Sequence, residues 1–278
     1  MGTNIKINNL IYPYFVIEGE NKKEEIKSFP DVYRFSVDTL LKDLKESKEL
    51  GINKILLFGA PSKKDILGQG AYASDNIISK AVKAIKKEFK DIIIFTDICL
   101  CAYTTHGHCG IITSSEKRVL PAEPPRRAHL RCARQGSSSR PSPASYIDNK
   151  KTVEALAKIA LSHAQAGADY VAPSAMAKHQ VSAIRKALDE HGFKKTKILG
   201  YSAKFASSFY GPFREVADSS PKFGDRSSYQ LNFNDAKIAL EEIKDDIKEG
   251  ADMVMVKPAL SYLDIIKDVA KSKAFYRS

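Results

Sequence analysis

Six short apolar runs alternate along this chain with longer amphipathic stretches, and that alternation limits what it can fold into more than any other feature. The runs Leu10 to Ile17, Lys54 to Phe58, Ile92 to Phe95, Tyr170 to Pro173, Lys197 to Tyr201 and Met253 to Val256 are rich in β-branched or aromatic residues and bounded by Gly, Pro, Asp or Ser, as buried strands are. Between them, Val37 to Leu50, Asp75 to Phe89, Val153 to Ala166, Val181 to His191 and Asn234 to Glu249 repeat apolar side chains at three- and four-residue spacing, the period of a helix with one face on a core. Three helical stretches exit through a glycine, Gly51, Gly167 and Gly250, just before the next run. Glycine takes the left-handed conformation that closes a helix at low cost, so each marks a return to the sheet. Strands that are apolar along their whole length need cover on both faces. The pattern therefore predicts an α/β fold with a parallel sheet, either doubly wound or a (β/α)8 barrel.

The length of 278 residues, with 43% hydrophobic and 28% charged, suits a single globular domain spanning 1–278. No apolar run approaches the roughly 18 residues of a membrane span, so no membrane partner is expected. Four cysteines without a recognisable secretory signal predict a cytoplasmic protein whose thiols bind metal or react rather than pair. A net charge of +11 would suit a nucleic-acid partner, but the charge is uneven. Lys117 to Ala144 carries seven cations against Glu123 alone, with five prolines and the run Ser137 to Ser139. This Arg/Pro/Ser-rich segment, 117–144, has no hydrophobic period and is expected to be an irregular, disordered insertion. It holds no aromatic residue on which bases could stack, so nucleic acid is not the expected partner.

Chemistry concentrates just after predicted strands. Cys99, Cys101 and Cys109 follow the Ile92 run, and Cys-x-Cys with a third thiol returning across a glycine-containing loop can form one trigonal face. Thiolates favour zinc, and three protein ligands leave a fourth position for water or substrate. His106 and His108 are expected to support such ligands or to face solvent rather than to join them. Lys257 ends the last apolar run before Pro258. Burial there would lower its pKa and expose a neutral amine able to attack a carbonyl, although the stem could equally reach past the strand end to water. Lys204 follows another run; if the two lysines share one mouth, each cation favours the neutral form of the other. Downstream, Arg214, Arg226 and Gln230 could hold a carboxylate, arginine offering a planar fork.

Taken together, three segments resemble a known family. Cys99 to Gly110, Tyr201 to Arg214 and Gly250 to Pro258 are similar, in that order, to motifs of porphobilinogen synthase, also called δ-aminolevulinic acid dehydratase. Ile11-Tyr12-Pro13, Leu57-Phe58-Gly59, Phe223 to Arg226 and Tyr262-Leu263-Asp264 extend the likeness over nearly everything outside 117–144. The resemblance implies a (β/α)8 barrel that condenses two molecules of 5-aminolevulinate into porphobilinogen, with loss of two waters, on the way to heme and other tetrapyrroles. By the same likeness, Lys257 is the principal Schiff-base lysine and Lys204 the second. Cys99, Cys101 and Cys109 are the zinc ligands, and Arg214, Arg226 and Gln230 contact the second substrate's carboxylate. Asp97 assists proton transfer, Glu242 falls where some members bind an allosteric magnesium, and the family assembles as a homo-octamer.

The chain departs from the family's pattern in places. It stops about two strand-helix units early, which predicts a barrel shortened to about six strands, and it lacks the N-terminal arm that embraces a neighbouring subunit. Ala177, Lys178 and His179 stand where the family has Met-Asp-Gly, which is expected to disturb that loop. The alternative readings are a catalytically defective homologue that at most binds zinc, and an Arg-rich nucleic-acid binder. A class I aldolase would use a strand-end lysine but leaves the three-cysteine loop unexplained.

Overall fold

The computed structural model describes residues 5–113 and 147–271; the predicted insertion at 117–144, with Cys132, lies outside them. In chain order the elements are β1 (Tyr12–Val16), β2 (Lys23–Glu25), β3 (Tyr33–Phe35), α1 (Val37–Glu49), β4 (Lys54–Gly59), α2 (Ile77–Glu88) and β5 (Ile93–Ile98). There follow α3 (Asn149–Ala166), β6 (Tyr170–Pro173), α4 (Gln180–Glu190), β7 (Lys197–Lys204), α5 (Gly211–Val216), α6 (Ala236–Glu249), β8 (Met253–Lys257) and α7 (Leu263–Lys271). The strands form one sheet in the order β2-β3-β1-β4-β5-β6-β7-β8. Every neighbouring pair is parallel except β2 with β3. Among the described residues no ladder joins β2 to β8.

All six expected strands are present, and the strand-helix alternation dictates where their side chains go. Phe15, Leu56, Phe58, Phe95, Ala172, Leu199 and Tyr201 gather on the inner face of the sheet. The alternate residues Tyr14, Val16, Ile55, Leu57 and Ile94 pack outward against α1 and α2, meeting Leu40, Leu44, Ile78, Val82 and Ile85. Both faces are thus buried, which is why these runs are apolar throughout. Gly51, Gly167 and Gly250 all have positive φ, 90°, 106° and 115°, as the helix exits required. The sequence Gly-Ala-Asp after α3 and α6 repeats one device: Asp169 Oδ2 accepts from Ile94 N and Asp252 Oδ2 from Ile198 N, each at 2.8 Å. Each aspartate thereby ties the start of its own strand to the strand before it.

The structure differs from the sequence expectation where polar residues stay in the sheet. β5 runs on to Ile98 and β7 to Lys204, three residues past their expected ends, because Thr96, Asp97 and Lys204 keep the ladder while breaking the apolar pattern. Helix α3 begins at Asn149 rather than Val153, since the Asp148 side chain accepts from Lys151 N and caps it. Two strands beyond the expected six, β2 and β3, form a three-residue antiparallel pair at the edge of the sheet, too short and polar to show a period. In the 177–179 loop, His179 adopts φ 62°, the left-handed conformation a glycine reaches freely, and caps α4 with its ring against Glu249. Among the described residues no helix is long and apolar enough to cross a membrane.

Candidate functional site

The site grows from the inner face of the sheet. On β8, Met255 points inward and Val254 and Val256 outward, so Lys257 falls on the inner face. On β7 the alternation alone would send Lys204 out. A register shift between Gly200 and Ala203 changes the phase: Leu199 and Tyr201 face inward, whereas Ala203 and Phe205 pack outward with α6 and α7. One irregular step therefore re-aims Lys204 into the interior, a known use of bulges beside active sites. Lys204 and Lys257 become register partners on adjacent strands, with ammonium nitrogens 5.6 and 5.3 Å from the centre of the same ring, Tyr201.

Lys204 is buried and donates to the Ser174 carbonyl at 2.7 Å. Lys257 is half-buried, with Phe213 at 4.5 Å and Tyr210 at 5.6 Å from its nitrogen. Burial and then the neighbouring Lys204 cation push its pKa down to about 8, against the opposing pull of Asp97 and the cysteines. Its carbonyl accepts from Phe205 N at 2.8 Å and from the Tyr210 hydroxyl at 3.0 Å, which fixes the strand end. Asp97 lies on the inner face of β5. Burial raises its carboxyl to about 6, while Ser174, Lys204 and Lys257 act to lower it.

The three predicted thiols converge. Cys99, Cys101 and Cys109 are buried, and their sulfurs all lie within 4.8 Å of one another, Cys99 and Cys101 at 3.4 Å. Hydrogen bonds from Cys101 and Cys99 hold the Cys109 thiol well below its ordinary pKa, helped by Arg226 and Lys204, while Cys99 is pushed up. A buried trigonal set of three soft sulfur donors fits zinc.

His106 and His108 are buried and neutral: burial lowers His106 to about 4 and lowers His108 as well. Their ring nitrogens are satisfied in one consistent direction. His106 Nε2 donates to the Ile66 carbonyl and its Nδ1 accepts from His108 N. His108 Nε2 donates to the Phe223 carbonyl at 3.0 Å, so its Nδ1 accepts from the Tyr229 hydroxyl, which itself accepts from Cys109 N. The histidines brace the cysteine loop from within, buried rather than facing solvent.

Arg214, Arg226 and Gln230 come from the segment between β7 and α6, which crosses the mouth. Arg226 is buried and donates to the Gly107 carbonyl at 3.0 Å. Its Nε, Arg214 Nε and both amide atoms of Gln230 are buried without a protein partner, as is Asp97 Oδ1. Five orphaned polar atoms on four predicted site residues mark a place built to hydrogen-bond something else. Glu242 is not brought to this mouth. It lies on α6, half-buried, where burial raises its pKa and its charged neighbours are Lys178, Asp245, Glu249 and His179.

Residues 1–276 match the family model described as delta-aminolevulinic acid dehydratase. This chain belongs to that family. Delta-aminolevulinic acid dehydratase of Staphylococcus aureus is 44% identical over 266 residues, which span 96% of this chain and 74% of the relative; the protein of strain Mu50 matches equally. The crystal structure of the Toxoplasma gondii ME49 family member, a porphobilinogen synthase in complex with the reaction product porphobilinogen, superposes with a TM-score of 0.84 at 36% identity. It covers 97% of this chain and 70% of that one. Family membership brings the activity class with it: the members are porphobilinogen synthases, a kind of lyase, and this chain shares their α/β fold with a mostly parallel eight-stranded sheet. Sequence reading did not single out Tyr201, Ser174, Phe213 and Tyr229 as parts of the site. Tyr201 and Phe213 sit inside the quoted motifs, but only the phase change in β7 and the course of the crossing segment reveal what they touch.

Proposed function

We propose that this chain condenses two molecules of 5-aminolevulinate into porphobilinogen with loss of two waters, using Lys257 as nucleophile. The observation that carries the reading is the pairing of Lys204 with Lys257 on the inner face, beside three convergent thiols. In the proposed reaction the neutral Lys257 amine adds to the substrate ketone; a carbon–nitrogen bond forms, the ketone oxygen leaves as water, and an imine remains. Lys204, tethered to Ser174, keeps a second amine beside it and favours the neutral form of Lys257. Arg214, Arg226 and Gln230 receive the second substrate's carboxylate with the atoms that lack a protein partner. Asp97, raised by burial, accepts and returns protons at the shared mouth. Cys99, Cys101 and Cys109 would hold zinc, which supplies a Lewis acid for the second substrate's carbonyl.

On family resemblance we further propose magnesium at Glu242, where Asp245 and Glu249 add the negative charge a hard cation needs, and assembly into a homo-octamer. A cluster of three reduced thiols suits the cytoplasm. The test is product formation from 5-aminolevulinate by zinc-loaded protein, followed colorimetrically. Turnover that disappears in Lys257→Met supports the reading. Folded, zinc-loaded protein that makes no product overturns it.

A further inference from the structure

The segment that carries Arg214, Arg226 and Gln230 is a strap closed at its base, where Ala206 N donates to Leu231 O and Leu231 N to Lys204 O. Its later half is tied to the cysteine loop through Lys222 N to His106 O, Arg226 to Gly107 O, and His108 to Phe223 O. Its earlier half, α5, is held from the opposite side of the mouth by two cations. Arg34 on β3 donates from Nε to the Val216 carbonyl at 2.7 Å and from Nη2 to the Glu215 carbonyl at 2.6 Å. These are the last two carbonyls of the helix; Glu215 O also accepts from Asp218 N at 3.2 Å in the turn that follows, and a guanidinium can meet two adjacent oxygens at once. Lys64, after β4, pairs with the Asp218 carboxylate at 2.6 Å and donates to the Asp218 carbonyl. Both cations are more than three-quarters buried, at 23% and 16% exposed.

Within one turn of these anchors α5 delivers two groups to the site. Phe213 packs on Phe15 and Phe58, with centroids 5.7 and 4.9 Å apart, and lies 4.5 Å from the Lys257 nitrogen. Arg214 brings an unpartnered buried Nε. Arg34, Arg214, Glu215 and Asp218 also line one cleft of about 650 Å3 on that side. We propose that Arg34 and Lys64 are positioning residues: a two-cation latch that fixes the end of α5 and so sets Phe213 against Lys257 and Arg214 against the substrate carboxylate. Neither touches the reacting atoms. The hairpin of β2 and β3 thereby gains a purpose, since it presents Arg34 to the strap.

The substrate part of this proposal rests on the function proposed above, so one arm of the test does without it. Hydrogen exchange of the zinc-loaded full chain is compared for the native protein, Arg34→Met and Lys64→Met, the second variant leaving the sheet untouched. Exchange of peptides within 207–218 is expected to quicken about tenfold in Arg34→Met and by less in Lys64→Met, with β4 and β5 unchanged. In the second arm, half-saturating 5-aminolevulinate rises about tenfold in Arg34→Met with a smaller change in kcat, and Arg34→Lys, which keeps one donor, recovers part of the loss. Unchanged exchange in both variants, or an increase spread over the whole chain, overturns the latch. A native protein without turnover whose 207–218 peptides nevertheless loosen in the variants upholds the latch and fails the proposed reaction instead.

Discussion

Replacing Lys204 by methionine should make Lys257 a worse nucleophile at neutral pH, and the geometry sets a lower bound on how much. Both ammonium nitrogens lie within 5.6 Å of the Tyr201 ring centre, so they are no more than about 11 Å apart; at an effective dielectric of about 20 they repel by at least about 1.5 kcal/mol. That is about one pKa unit, or about tenfold less neutral Lys257 at pH 7. The starting point matters too. An amine held at about 8 is about 9% neutral at pH 7, whereas one at the ordinary lysine value is about 0.03% neutral. The assay is competitive trace acetylation across about pH 6 to about pH 11, with Lys257 labelling quantified by peptide mass spectrometry against a soluble reference amine. Because the shift is downward, labelling of Lys257 should rise through a midpoint near 8 and then level, and Lys204→Met should move that midpoint up by about one unit. A native midpoint at or above the ordinary lysine value, or a midpoint that Lys204→Met leaves unmoved or lowers, would refute the reasoning.

Cys109→Ser removes the most acidic of the three thiols and is expected to weaken zinc binding by about 100-fold or more, read by competition with a chromophoric chelator. Gly107→Ala drives a Cβ into the Ser220 carbonyl at φ 72°; it should lower the thermal midpoint and loosen the strap in hydrogen exchange, at a cost of about 1–3 kcal/mol. His179, paired with Glu249 at 2.5 Å, has its pKa raised from 6.5 by that partner. Its imidazole should titrate above 6.5 by NMR, with the pair's contribution present below that pH and lost as the pH rises through the folded value.

Much of this architecture is legible in the sequence because its physics is local. A run such as Ile55-Leu56-Leu57-Phe58, short, apolar at every position and closed by Gly59, reads as a strand covered on both faces, and Gly167 and Gly250 announce their helix exits through a conformation few other residues enter. The thiols were equally plain, since soft donors at short spacing have few structural uses. What the sequence hides depends on pairing across the sheet. The inward turn of Lys204 follows from a register shift against β8, which no single-strand pattern encodes; a strict alternation from Tyr201 would have sent it outward. Lys23–Glu25 and Tyr33–Phe35 form strands through each other and β1 rather than through any period of their own. Arg34 looks like an ordinary surface cation until the strap, about 180 residues later, lays two carbonyls across it.

The most direct test of the proposed chemistry is covalent. Zinc-loaded protein is treated with 5-aminolevulinate and borohydride, and any adduct is located by peptide mapping. The expected result is a reduced imine on Lys257 that is absent from Lys257→Met. Soluble, zinc-loaded protein that yields no adduct, or adducts only on exposed lysines, would contradict the assignment of Lys257 as the nucleophile.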